Sequence, residues 1–431
     1  MKKPCIIPGA GRQIEAQAAK KNREQNYRMN LLSGIEQDFH RPQKNPGAYE
    51  WWHFDGTDDT SGYSFSARFY AGNPLSPYYQ EALSRYWKKT KSPLLDQTPV
   101  SAPSMRSADS GQAPDPLDFC GVHFQVFRNH SLAAEFTQEY APGQLKASDH
   151  QPAVLLGSNR FNWDPEGAPP SYTLTLQGAL PGRKSLRARL FLMPEKFDLP
   201  PLESSESWPT HSWILAAPRC RVEGTLQWCD AEGDVQKEQP FIGNGYHDHH
   251  LGTVPMDRFI KSWHWGRAFF KNRTLVYSVQ VPADTKEPPE AVFLLNEDGQ
   301  TQVFTRKLTL SLFRNRRNVF WVPYAKKLVL REVEGLPDWR FEIEHDVVLS
   351  DGPVSLVFQD QVTLFHKDVA VRGRGMSNLI DGPRLSSRWF FPMAKGKTHW
   401  MARPLGKFSG SVDDSTGDVF TDRSSMPPPK P

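Results

Sequence analysis

"GYSFSARFY", residues 62–70, sets Tyr63, Phe65, Ala67 and Phe69 against Ser64, Ser66 and Arg68. Successive side chains of an extended backbone point to opposite faces, so this alternation predicts a half-buried β-strand. The same period runs through "CGVHFQVF" (120–127), "SYTLTLQ" (171–177) and "LRARLFL" (186–192). It returns in "TLVYSVQVP" (274–282), "TQVFTRKLTLSLF" (301–313), "KKLVLREVEG" (327–335), "WRFEIEHDVVL" (339–349) and "VSLVFQDQVTLF" (354–365). Turn signals such as "NEDG" and "LSDGP" separate these runs. Helical patterning is confined to two places. Residues 13–38 read as a polar helix docked through Met29, Leu31, Leu32 and Ile35, and residues 77–90 as a second helix opened by Pro77, with Glu81, Lys88 and Lys89 outward. Many closely spaced strands and few helices predict a mainly β fold. The strands are too many for one small barrel and both halves are equally rich in them, so two consecutive antiparallel β-barrels are expected.

Bulk composition narrows the function. The 431 residues are 38% hydrophobic and 23% charged, with a formal net charge of +4, a soluble globular profile with no basic run for a nucleic-acid backbone. Four scattered cysteines without a C-x-x-C pair argue against a disulfide framework or a zinc ribbon. No stretch approaches the roughly 18 apolar residues needed to span a bilayer, and the N-terminus lacks an apolar signal core, so a cytoplasmic location is the expectation. Residues 91–117, rich in Pro, Ser, Ala and Asp, read as a long surface loop, and the tail from Ser409 as equally loose. Aromatic residues reach 12%, including 13 Trp and 26 Phe, which calls for a sheet to line or an apolar cavity.

The chemistry concentrates in "GNGYHDHHLG" (243–252). In an extended segment Tyr246, Asp248 and His250 share one face, and His247 and His249 the other. In "SWHWGR" (262–267) Trp263 and Trp265 point together with His264 opposite, and in "HSW" (211–213) His211 and Trp213 share a side. A carboxyl, imidazoles and indole faces suit a site that handles a developing cation. Walled by indoles, the Asp248 carboxyl is expected to lose solvation, rise in pKa and act as a proton donor. An indole face stabilises a cation and an imidazole can deprotonate water. Two other readings stay open: His-x-His on a strand can hold zinc, and Asp248 can merely cap a turn beside solvated histidines. No Glu or Cys pattern completes a familiar metal set, and no metal ligand is assigned. "GRGMS" (373–377) follows strands without a helix and is not read as a phosphate cradle.

The runs "NPGAYEWWHFDG" (45–56), "SPYY" (76–79), "HSW", "GYHDHHLG" and "WHWGR" (263–267) together resemble the carotenoid 1,2-hydratases, or hydroxyneurosporene synthases, a two-domain lipocalin-like family, in motif order over residues 45–390. The resemblance implies an N-terminal extension over 1–44, helical on the pattern above. It implies lipocalin-like domains over 45–253 and 254–408, and leaves a flexible tail over 409–431. It implies cofactor-independent addition of water to a terminal isoprenoid double bond, hence a hydrophobic carotenoid or isoprenoid substrate. The family's functional His and Trp fall on His211 and Trp213, and its Tyr and Asp on Tyr246 and Asp248. Trp51, Trp263, Trp265 and His250 would then line the substrate. The family tends to carry Asn and Trp where this chain has His250 and Leu251, a change expected to reshape the pocket wall. A lipid-dissolved substrate would bring the chain to the inner membrane as a peripheral protein, through "SRYWKKTK" (84–91). A lipocalin-like cyclase or isomerase of a polyene, and a non-catalytic carrier of an apolar ligand, are the competing readings.

Overall fold

The computed structural model describes residues 29–90, 113–197, 211–284, 289–297, 299–305, 308–332, 339–387 and 399–401. Most of the loop expected over 91–117 and all of the tail expected over 409–431 lie outside the described residues.

The described chain is mainly β and lipocalin-like, built from a 13-stranded and a 9-stranded sheet. The first sheet runs from His399–Met401 through Ser131–Tyr140, Cys120–Arg128, Tyr63–Ala71, Tyr49–Asp58, Val235–Gly252 and His211–Cys229. It continues through Ser185–Pro194, Ser171–Ala179, Asn159–Asp164 and Ala153–Leu156 to Leu145–Ala147. Its alternation falls in register, with Trp52 opposite Phe69 and Phe54 opposite Ala67, and Ala67 in turn opposite Phe124. Trp52, Phe54, Phe69, Phe124, Phe161 and Leu190 therefore converge on one core, each fully buried side chain contributing roughly 2 kcal/mol.

The second sheet runs Gln300–Thr305, Glu290–Glu297, Arg273–Pro282, Ile260–Phe269, Val369–Asp381, Ser355–His366, Trp339–Asp351, Pro323–Glu332 and Leu308–Arg317. The expectation of one strand over 301–313 is corrected here. Thr305 pairs with Val292 while Leu308 pairs with Glu332, so the run supplies both edges of the sheet. Three peptide units reach at most about 11 Å, so the sheet curls until its ends approach.

The helix Pro77–Thr90 forms where expected. Ser76 Oγ accepts from the backbone N–H of Tyr79 at 3.1 Å, and Pro77 opens the first turn. Of the helix expected over 13–38, residues 13–28 lie outside the described residues, and the part from Met29 is corrected. Met29–Ser33 is a strand paired in parallel with His211–Cys229, and Met29 and Leu31 pack beside Trp213 and Leu215. Met29, Leu32 and Ile35 have the spacing of a helix face, whereas Met29 and Leu31 have that of a strand face, and pairing decides between them. No described helix is long and apolar enough to cross a membrane.

Inside the first sheet a buried ionic cluster joins four segments. Asp38 Oδ2 accepts from His247 Nε2 at 2.8 Å and from the Tyr172 hydroxyl at 2.8 Å. His249 lies with Nδ1 3.1 Å from Asp38 Oδ1 and Nε2 2.9 Å from Glu50 Oε1, and His40 Nδ1 is 2.6 Å from Glu50 Oε2. Burial pushes the Asp38 carboxyl up, but His247 and His249 outweigh it and hold it at about 2. Burial pulls His249 down, but Asp38 and Glu50 raise it above its usual value.

The Asp38 contribution to stability is present above its ordinary value of 3.8 and lost as pH falls toward about 2. The His249 contribution is present below 6.5 and lost as pH rises through the higher folded value. Urea unfolding should therefore give a stability plateau between these limits, sagging on both sides. Asp38→Asn, which leaves two imidazoles facing a neutral amide, should cost roughly 3 kcal/mol on that plateau.

Candidate active site

The two sheets meet along a seam. Its first wall is the outward face of Tyr49–Asp58 and Val235–Gly252, where His250 pairs with Trp51, Asp248 with His53 and Tyr246 with Asp55. Its second wall is Ile260–Phe269, which presents Trp263, Trp265 and Arg267, all fully buried. The alternation read from the sequence is present: Tyr246, Asp248 and His250 face the seam, and His247 and His249 face the ionic cluster. The motif's last glycine is required by packing, since a Cβ on Gly252 would lie 2.2 Å from the Tyr49 ring.

One oxygen of Asp248 collects three donors. Its Oδ2 accepts from the Tyr246 hydroxyl at 2.6 Å, Trp213 Nε1 at 2.9 Å and His250 Nε2 at 2.9 Å. Its Oδ1 is buried and has no partner among the described residues. Because the carboxylate only accepts, His250 carries its proton on Nε2. Its Nδ1, 3.3 Å from His211 Nε2, then accepts, and His211 Nδ1 accepts from the Tyr49 hydroxyl at 2.8 Å. A directed chain Tyr49–His211–His250–Asp248 results.

Burial alone would raise the Asp248 carboxyl. His250, His53 and the Tyr246 hydroxyl together overcome it and hold the group below the ordinary carboxylate range. The expected upward shift is thereby corrected: indole walls remove water, but one indole N–H, a phenol and an imidazole replace it with aimed donors. Burial lowers His250 and takes His211 well below 6.5, so both rings rest neutral.

Aromatic rings close the apolar end of the seam. Trp51 lies 5.7 Å from Trp263 and 6.3 Å from Trp265, those two stack at 4.4 Å, and the His250 ring sits 5.0 Å from Trp51 and 4.9 Å from Trp263. The void left beside Trp51, Arg68, Tyr70 and Trp265 is ≈ 10 Å³, room for one water. Toward the other end the seam turns polar. Arg267 Nε and Nη2 donate to Asp55 Oδ1 at 2.9 and 2.7 Å, His53 Nε2 lies 3.3 Å from Asp55 Oδ2, and Arg68 donates to His53 Nδ1 at 3.3 Å and to Asn378. The Arg267 guanidinium thus balances Asp55 inside the seam, and the Arg68 guanidinium lies against the far side of His53. Past Arg267 it opens into a cleft of ≈ 530 Å³ lined by Thr57, Asn244, Phe269, Asp360 and Arg374.

The structure brings together His211, Trp213, Tyr246, Asp248, His250, Trp51, Trp263 and Trp265. It corrects the expectation for Leu251, which takes the face of His247 and His249 and points away from the seam. Sequence reasoning missed Tyr49, His53, Asp55, Arg68 and Arg267. The first three were visible in "YEWWHFDG", whose alternation puts Tyr49, Trp51, His53 and Asp55 on one face. Among the described residues no group of three or more His, Cys, Asp or Glu is arranged to hold a metal ion.

A family model described as carotenoid hydratase CrtC matches residues 105–328. A hydroxyneurosporene dehydrogenase of Chlorobaculum tepidum is 30% identical over 371 residues, 84% of this chain and 89% of its own length. An acyclic carotenoid 1,2-hydratase of Rubrivivax gelatinosus is 23% identical over 304 residues; the match spans 68% of this chain and 63% of that protein, less than two thirds of its length. The crystal structure of an AttH protein from Nitrosomonas europaea shares the fold, with a TM-score of 0.51 at 16% identity over 81% of this chain and 94% of that one.

Tyr246→Phe removes one of the donors on Asp248 Oδ2 and no charge. The carboxyl should then titrate upward by about one pH unit, read from its infrared stretch in the folded protein; an unmoved band would mean the hydroxyl does not hold the ionised form.

Proposed function

The chain belongs to the carotenoid hydratase CrtC family, and on that premise we propose that it adds water across a terminal C=C bond of an acyclic carotenoid without a cofactor, with Asp248 as the group that moves the proton. The observation that carries this reading is the split environment of that carboxyl: one oxygen saturated by donors, the other buried and uncommitted. An added proton breaks no hydrogen bond only at Oδ1.

An alkene is a very weak base, so its proton donor must be a strong acid. The donors on Oδ2 stabilise the carboxylate that remains after transfer, which makes the protonated form more acidic than a solvent-facing carboxyl. The proton passes from Oδ1 to the less substituted carbon of the terminal double bond. The tertiary cation left on the neighbouring carbon lies against Trp51, Trp263 and Trp265, whose ring faces contribute roughly 2 kcal/mol where water is excluded. Water adds to that carbon, oriented by the Trp51 and Trp265 indole N–H groups, which have no partner among the described residues. Its surplus proton passes to Asp248 Oδ1, the oxygen that gave one up, while the His211–His250 chain keeps Oδ2 occupied, so alkene plus water gives the tertiary alcohol and the catalyst is restored. Tyr246 and Trp213 hold the carboxyl in place. His250, expected to line the substrate, instead works by holding its Nε2–H on Asp248. The polar cleft beyond Arg267 supplies the water.

The purified protein, given an acyclic carotenoid in detergent, should yield a product heavier by one water, with the oxygen drawn from labelled solvent. Asp248→Asn should fold normally and lose at least about a hundredfold in turnover. A product lighter by two hydrogens would support instead the dehydrogenation for which the Chlorobaculum tepidum relative is named, and an isomer of unchanged mass would support cyclisation. Because the acid form is the minor one at neutrality, kcat should rise as pH falls from 8 toward about 5; a rate that rises with pH would remove Asp248 from the donor role.

A further inference from the structure

Leu308–Arg317 is an edge strand of the second sheet, and from Leu312 to Arg317 its side chains are exposed. The turn that follows is firmly built. Asn318 Oδ1 accepts from the backbone N–H of Phe320 at 3.0 Å and of Val322 at 2.7 Å, while its Nδ2 donates to Gly352 O at 2.8 Å. Arg384 donates to the carbonyls of Phe320 and Trp321, each at 2.7 Å. This frame holds Trp321 in the left-handed region, at φ 64°, with its ring pointed outward. Trp321 is 67% exposed and Val319 76%, and Leu312 and Phe313, about half exposed, lie farther back along the strand that leads into the turn. Arg314, Arg316 and Arg317 are interleaved with these apolar groups, and the Arg317 guanidinium lies 5.5 Å from the Trp321 ring centroid. Arg314 pairs with Glu344; among the described residues Arg316 and Arg317 have no ion-pair partner.

The hairpin is tied to the apolar end of the seam. Arg384 belongs to the short helix Gly382–Leu385, whose Leu385 packs in one cluster with Trp51, Trp263, Trp265 and Met256. Beside Met256, Arg258 places its guanidinium 5.0 Å from the ring of Trp87 on the helix Pro77–Thr90, whose last turn carries Lys88 and Lys89.

We propose that the 312–321 hairpin docks the protein on a bilayer that contains anionic lipid, with Trp321 and Val319 seated among the headgroups and Arg316 and Arg317 on the lipid phosphates. An outward indole beside aliphatic side chains suits the membrane–water interface, where one face of the ring is apolar and its N–H stays wet. The adjacent guanidinium groups supply the attraction to a negative surface that one or two apolar side chains cannot provide alone. Docked this way, the molecule turns its aromatic end toward the membrane and leaves the polar cleft in water. The use of that orientation rests on the carotenoid reading, whereas the docking rests on the hairpin. The basic end of the 77–90 helix, expected to make the contact alone, becomes an auxiliary to it.

The test uses the full chain, sedimented with vesicles of phosphatidylglycerol and phosphatidylcholine or of phosphatidylcholine alone. The wild type should prefer the anionic vesicles, with an affinity that falls as salt rises. Trp321→Ala combined with Val319→Ser, and Arg316→Gln combined with Arg317→Gln, should each weaken binding about tenfold. Both should keep the wild-type thermal transition and turn over detergent-dispersed carotenoid normally, while losing rate on carotenoid embedded in vesicles. Equal vesicle binding by wild type and variants, or none by the wild type, would overturn the proposal. So would variants that change only the oligomeric state, which would make the hairpin a protein contact. Vesicle binding that follows the hairpin in a protein without hydratase activity would support docking while the activity reading falls.

Discussion

An ionised carboxyl shut away from water has to find its donors inside the protein, and that requirement organises the seam. Asp248 draws Tyr246 and His250 from its own strand and Trp213 from the neighbouring one, and His250 extends the bonding to His211 and Tyr49. Leaving such a charge without partners would cost several kcal/mol, enough to compete with the whole stability of a domain. The relation between the strands 49–58, 211–229 and 235–252 is therefore set by hydrogen bonding as much as by apolar packing. The same strand repeats the arrangement on its other face, where His247 and His249 meet Asp38 and Glu50. The proposed reactive centre and a structural staple lie back to back on one stretch of backbone.

Much of this was legible in the sequence because a period of two is a local property. The strands, the helix from Pro77, and the division of "GYHDHH" into two faces all follow from it. What failed depends on contacts that no local pattern carries. Met29, Leu31, Leu32 and Ile35 together fit a strand face and a helix face alike until a partner strand is present. The run 301–313 reads as one extended segment, yet the chain changes partners within it and supplies both edges of the sheet. The acidity of Asp248 was misjudged because its surroundings were imagined as apolar rings, whereas Trp213, thirty-five positions away, turns its N–H toward the carboxyl. Arg68 stood on the polar face of an alternating strand, and only the second sheet's cover makes that face an interior.

The seam is graded along its length, with aromatic rings at one end and charged groups at the other. Hydration of a lipid-soluble molecule needs such a gradient, because the organic reactant and water favour opposite surroundings. The void of ≈ 10 Å³ beside Trp51 and Trp265 cannot hold an isoprenoid terminus, so admitting one requires those rings to part. The two sheets are joined there by side-chain packing, without shared backbone pairing, and packing yields more easily than a ladder.

The back-to-back strand also limits how this protein can change over generations. Swapping one side chain between positions 244 and 252 alters one face at a time and leaves the other intact. Adding or deleting a single amino acid there would rotate every later group by half a turn, carrying His249 toward the indoles and His250 toward Asp38. Lineages descended from this chain should thus keep the length of the motif frozen, and any replacement they carry in it should be felt on one face alone.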